Sequence, residues 1–247
     1  MNAGITLKNK HVLVNGCSFS RGPISWPYRL QEKLNFDLVN LAQTSAGNLY
    51  IHNSTITELA QRDYDLVIIM WSGIERVDCQ VDDINLFDHM PHTSKYYSTH
   101  NDWPGKIIYP INDQDYVEKD WVFVCNYSWF PELQQMKFCE TNFKYQGYKQ
   151  KLTQSLIHMI SLQSILKQMN IPYVFSFYNN CHADLKRHNL YKLLDSNNIA
   201  DADNIYDITK RNNWFDKDGL HPSAEAHSNW ADVLYDHLTT KTYAKTE

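Results

Sequence analysis

From His11 onward, short β-branched runs alternate with stretches whose apolar residues recur every three or four positions, the signature of strands interleaved with amphipathic helices. His11–Asn15 reads as a strand. Trp26–Leu34 reads as a helix with Trp26, Leu30 and Leu34 on one face, and Phe36–Leu41 as a second strand. A helix over Ile51–Arg62 leads into Asp65–Trp71, whose apolar run lacks polar alternation and so fits a central strand covered on both faces. Further on, Tyr148–Met169 reads as a long helix with Leu152, Leu156, Met159, Leu162 and Leu166 on a wide apolar face, ended by Pro172. Tyr173–Phe177 is a fourth strand, His188–Asp195 a short helix, Ile205–Ile208 a short fifth edge strand, and Ser223–Thr239 a final helix carrying Trp230, Leu234 and Leu238. This alternation predicts a three-layer α/β/α fold around a flavodoxin-like parallel sheet with right-handed crossovers.

The stretch from about 76 to 147 breaks the rhythm. Fourteen of the 33 aromatic residues lie between Tyr96 and Tyr148, so this part is compositionally separate and is expected to be an aromatic-rich insertion after the third strand. The 247 residues are expected to form one domain carrying that insertion. Rings such as Tyr96, Trp103, Trp121 and Trp129 suit both a small core and a sugar-stacking wall.

Charge and composition remove several function classes. With 23 Lys plus Arg against 28 Asp plus Glu, the chain offers no basic field for a phosphate backbone, so no nucleic-acid partner is expected. The longest apolar run, Leu66–Trp71, is far shorter than the roughly 20 residues that span a bilayer, and the N-terminus has no signal-like apolar region. A cytoplasmic chain without a membrane partner is expected, or one released on lysis if its source is a virus. The five cysteines are scattered with no C-x-x-C pair and read as reduced thiols. Asp88, His89, His92, His100 and Asp102 include metal-ligating types, but no regular helix fixes their geometry, and a solvated loop is the simpler reading. No cofactor and no metal are expected.

Two segments carry candidate chemistry. The first strand runs directly into Asn15-Gly16-Cys17-Ser18-Phe19-Ser20. A serine where a strand breaks into a helical turn presents its hydroxyl at the carboxyl edge of the sheet, among unpaired N–H groups able to stabilise an oxyanion. The plainer role for Ser18 or Ser20 is to cap the following helix. Cys17 should point the opposite way from Ser18, into the sheet packing. Near the other end stands Asp218-Gly219-Leu220-His221-Pro222, where an Asp three residues before a His can fold back onto Nδ1–H and leave Nε2 free to accept a serine proton.

Together these segments resemble the SGNH (GDSL-type) hydrolases, in a variant branch reading G-C-S-F-[ST], with Cys17 where the family has Asp. The resemblance implies Ser18 as nucleophile, His221 as base and Asp218 as its orienter, in acyl transfer through a covalent ester. The family's second block resembles Asn40-Leu41-Ala42-Gln43-Thr44-Ser45-Ala46-Gly47-Asn48. Strict register puts Ser45 at the glycine that lends an oxyanion N–H, residue type puts Gly47 there, and Asn48 offers a side-chain donor. The third block, G-x-N-D, is replaced by Ser72-Gly73-Ile74-Glu75-Arg76, so Ile74 stands where the family's donor Asn does. Ser72 or Asn48 then substitutes, and Arg76 is available to an anionic substrate group. The resulting expectation is a serine esterase removing a short O-acyl group, acetyl above all, from a carbohydrate or similar polar small molecule. The alternative is a catalytically impaired relative that binds a glycan or a partner with the same pocket.

Overall fold

The computed structural model describes residues 7–80, 121–124, 147–200 and 203–240. Four strands, β1 (His11–Asn15), β2 (Asp37–Asn40), β3 (Leu66–Trp71) and β6 (Tyr173–Phe177), form a parallel sheet in the order β2-β1-β3-β6. Val14 pairs with Asn40 on one side and Ile68 on the other, and Ile69 pairs with Phe175. This is the flavodoxin-like order, in which the chain reverses its direction of growth between β1 and β3. Among the described residues, six α-helices flank the sheet: α1 (Trp26–Leu34), α2 (Asn48–Leu59), α3 (Tyr148–Gln168), α4 (Cys181–Lys186), α5 (Ile205–Asn212) and α6 (Ala224–Thr240).

The two faces of the sheet separate with period two, as a pleated strand requires. Leu13, Val67, Ile69, Trp71, Tyr173 and Phe175 pack with Ile51 and Leu59 of α2 and Leu156, Met159 and Leu162 of α3. Val12, Val14, Leu66, Ile68, Met70 and Val174 pack with Trp26 and Leu30 of α1, Ile205 and Ile208 of α5, and Trp230 and Leu234 of α6. All six residues of β3 are buried, which accounts for its unbroken apolar run.

Three expectations are corrected in detail. Ile205–Ile208 is not an edge strand but the start of α5. The Asn204 side chain accepts the Asp207 N–H at 2.9 Å, and Ile205, Ile208 and Thr209 fall on one helical face. The place beside β6 goes to Ile199, which makes a single parallel bridge to Phe175. The short helix expected over His188–Asp195 is 3-10 rather than α, spanning Asn189–Leu193, with the His188 ring accepting the Leu190 N–H. Finally, α2 begins at Asn48 rather than Ile51, because its first N–H groups find a partner elsewhere in the chain.

That partner comes from the inserted region. Within it, β4 (Val77–Gln80) and β5 (Trp121–Val124) form a separate antiparallel pair. The remainder of the aromatic stretch, and the Asp88–Asp102 histidine loop, lie outside the described residues. Among the described residues, no helix is long and apolar enough to cross a membrane.

Candidate active site

Strand β1 ends in Asn15, whose buried side-chain amide donates to Ile51 O, Ser54 Oγ and Thr55 Oγ1 on α2 and so fixes where the strand stops. Gly16 then passes where any side chain would collide: a Cβ there would stand 2.5 Å from Ser20 Oγ and 3.1 Å from Met70 O. Gly16→Ala should therefore shift the turn that carries Ser18 and lower stability by about 1–3 kcal/mol in urea unfolding, the usual penalty of an overpacked core position. Cys17 is fully buried on the α1/α6 side of the sheet, as the strand alternation requires.

Ser18–Ser20 forms one 3-10 turn. Its two serines have opposite fates. Ser20 is completely buried, its Oγ accepting Trp26 Nε1–H at 3.1 Å and its carbonyl accepting Asn40 Nδ2–H at 2.8 Å, so it holds packing together. Ser18 is half-buried and makes no cap hydrogen bond; its Oγ lies 2.9 Å from His221 Nε2.

His221 arrives from a tight loop before α6. Phe215 and Pro222 form an antiparallel bridge, Asp216 N–H donates to His221 O at 2.8 Å, and Gly219 takes a φ of +69° that favours glycine. The loop folds Asp218 back so that Oδ2 meets His221 Nδ1 at 2.5 Å, while Oδ1 accepts the N–H groups of Leu220 at 2.8 Å and His221 at 2.9 Å. Partial burial is the largest single influence on the Asp218 carboxyl and raises its pKa. The two N–H donors and the imidazole together outweigh it and hold the group below the ordinary carboxylate value, hence charged at neutral pH. With Nδ1–H held by a carboxylate, Nε2 is the basic nitrogen and can accept the Ser18 proton. The Phe19 ring stands 5.4 Å from the His221 ring and 4.9 Å from that of Tyr178, walling one side of the pair.

Behind His221 lies a second histidine that sequence reasoning missed. His227 on α6 is buried, its Nδ1 has no partner among the described residues, and burial followed by the nearby His221 pushes its pKa down to about 4. Since the unfolded chain binds that proton near pH 6.5, the stabilising contribution is complete above that pH and is lost as pH falls toward 4. His227→Gln should make the loss of urea stability between pH 7 and pH 5 smaller by roughly 2 kcal/mol than in the wild type.

The second expected block lies beside the first. Gln43 N–H donates to Gly16 O at 3.2 Å and Arg21 Nη1 to Thr44 Oγ1 at 3.2 Å, tying this loop to the segment around Ser18. Ser45 occupies a φ of +66°, ordinarily a glycine position, and its N–H has no partner among the described residues. Gly47 instead donates its N–H to Asp78 Oδ1 at 2.7 Å, and the Asn48 amide is engaged with Ser72 O at 3.3 Å and Ser155 Oγ at 3.0 Å. Strict register and residue type are thereby separated, with Ser45 having the unengaged donor.

Ile74 is buried in the core and brings no donor. Ser72 is fully buried and its Oγ has no partner among the described residues, while its N–H and carbonyl clasp Asn48. Arg76 donates to Ala46 O at 3.1 Å and lies over the Tyr178 ring at 5.1 Å, two rings away from His221. Trp26 and Trp71 are core residues, and Trp214, just before the Asp218 loop, packs partly against the α1/α6 side. Among the described residues, no group of three or more His, Cys, Asp or Glu is placed to hold a metal.

No protein-family model and no curated protein matches this chain by sequence. By structure it is similar to the psychrotrophic esterase EstA from Pseudoalteromonas sp., in a form inhibited by monoethylphosphonate, with a TM-score of 0.52 at 12% identity over 94% of this chain and 98% of the other. It is also similar to TesA, with a TM-score of 0.54 at 11% identity over 94% of this chain and 99% of the other. The chain shares the fold of these two proteins. In this fold the parallel sheet brings the turn after β1 and the loop before α6 to one rim, although 203 positions separate Ser18 from His221.

Proposed function

We propose that this protein is a serine carboxylic-ester hydrolase working through Ser18, His221 and Asp218. The unbroken chain from Asp218 Oδ2 through the imidazole to Ser18 Oγ carries the reading. His221 takes the hydroxyl proton as Ser18 Oγ attacks the acyl carbon, then gives it to the leaving alcohol. A water deprotonated at the same Nε2 then cleaves the acyl-Ser18 ester. The oxyanion is held by the N–H of Ser45 and that of Ser18 at the start of its turn, where helical N–H groups lack internal partners.

The substrate class is a short O-acyl ester, acetyl above all, on a carbohydrate or a similar polar small molecule. Support comes from the polar rim around the loop, with Arg21 on Thr44 and Arg76 on Ala46. We further propose a single-domain chain in which residues 76–147 are an insertion after β3. On p-nitrophenyl esters, kcat/KM should be highest for acetate and fall at least tenfold by octanoate; a rise with chain length would overturn the short-acyl assignment.

A second reading rests on Ile74 and on the engaged Asn48 amide, which together leave no side-chain donor at the family's third-block position. Loss of one oxyanion donor typically costs about 10²–10³ in rate. If wild type, Ser18→Ala and His221→Ala share one background rate, the protein is a binding relative of the hydrolases rather than an enzyme.

A further inference from the structure

Asp78 is the one described carboxylate that reaches from the insertion into the loop beside the nucleophile. It sits on β4, is buried, and its two oxygens accept the N–H groups of Gly47 at 2.7 Å and Tyr50 at 2.9 Å, the N-cap and third residue of α2. A side chain from 31 positions away thus does what a local Ser, Thr or Asp does at most helix starts. Gly47 carries the mark of that contact. Its φ of −101° suits any residue, but a Cβ there would lie 2.8 Å from both Asp78 oxygens, so the glycine is required by the carboxylate's approach. The Arg76 contact to Ala46 O enters from the same side, while Gly16 O and Arg21 grip the loop from the nucleophile's side. Burial, the largest influence, drives the Asp78 carboxyl up to about 7, against the pull of the two N–H donors and of Arg76.

We infer that Asp78 is a positioning residue of the hydrolase: by taking the Gly47 and Tyr50 N–H groups it fixes where the Ser45 N–H stands relative to Ser18, coupling the insertion to oxyanion stabilisation. The inference rests on the esterase reading above. Because the oxyanion forms only in the transition state, a misplaced donor lowers kcat and leaves substrate binding nearly unchanged.

The test compares Asp78→Ala and Asp78→Asn with Tyr64→Phe, all in the full chain on p-nitrophenyl acetate, with urea midpoints measured alongside. Tyr64 is buried, and its hydroxyl donates to Glu58 Oε1 at the far end of α2, so its replacement weakens the anchoring of that helix without touching the carboxylate or the turn that carries Ser18. Asp78→Ala should cut kcat at least tenfold with KM within twofold. The isosteric Asp78→Asn, which keeps one acceptor and folds without a cavity, should fall in between. Tyr64→Phe should lose stability with kcat within twofold. Asp78 variants that keep wild-type kcat overturn the inference while leaving the esterase reading intact, as does a Tyr64→Phe loss of kcat equal to that of Asp78→Ala at equal stability. A wild type that does not turn over at all overturns both.

Discussion

Replacing Ser18 by Ala lowers kcat on p-nitrophenyl acetate by roughly 10⁴–10⁶-fold, the range seen when a triad serine is removed. The change deletes a half-buried oxygen whose partner is His221 Nε2 and leaves a methyl group at the start of a turn held by other bonds. Stability should therefore stay within about 1 kcal/mol of wild type, as for substitutions outside the core. The double variant Ser18→Ala/His221→Ala should be no slower than either single one, because the imidazole has no work without the hydroxyl. Ser20→Ala supplies the contrast. It orphans the buried Trp26 Nε1–H, so its main effect is a loss of about 1–3 kcal/mol of stability, with turnover retained in the folded fraction. Steady-state kinetics beside urea unfolding checks all three variants. Equal rates for Ser18→Ala and wild type would remove Ser18 from the mechanism.

Asp218→Asn should cost about 10⁴-fold in kcat, nearly as much as losing the nucleophile. Its Oδ1 can still accept the Leu220 and His221 N–H groups, so the loop keeps its shape. What changes is the group facing Nδ1. An amide NH₂ placed there favours the tautomer with the proton on Nε2, which turns the base into a donor toward Ser18. Asp216, two residues earlier and exposed, is the matched control, and Asp216→Asn should leave the rate unaltered. Turnover by Asp218→Asn within tenfold of wild type, with a folded protein, would take Asp218 out of the site.

Local pattern made much of this molecule legible. The buried run over β3, the i, i+4 apolar spacing of α1 and the long face of α3 are each dictated by which side of an element meets the sheet, so periodicity alone reveals them. The Ser18 and Asp218–His221 segments could be read because each carries its chemistry within a few residues. Ile205–Ile208 misled because four residues with apolar ends fit either period. Only the Asn204 cap and Thr209, outside that window, decide for a helix. Asp78 left no trace at all. Its partners are N–H groups, which every residue but proline possesses, and they lie about thirty positions away, so neither residue type nor spacing points to it. The same bond separates Ser45 from Gly47: Asp78 takes the Gly47 N–H, while the Ser45 N–H, at a residue of positive φ, has no partner among the described residues.

The most direct test of a serine activated by a histidine from the far end of the chain is covalent. Wild-type protein is treated with a fluorophosphonate, digested, and the modified residue located by mass spectrometry. One adduct on Ser18 that is absent from His221→Ala is the predicted result. An adduct on Cys17 or Ser20, or labelling of Ser18 that persists without the imidazole, would contradict it.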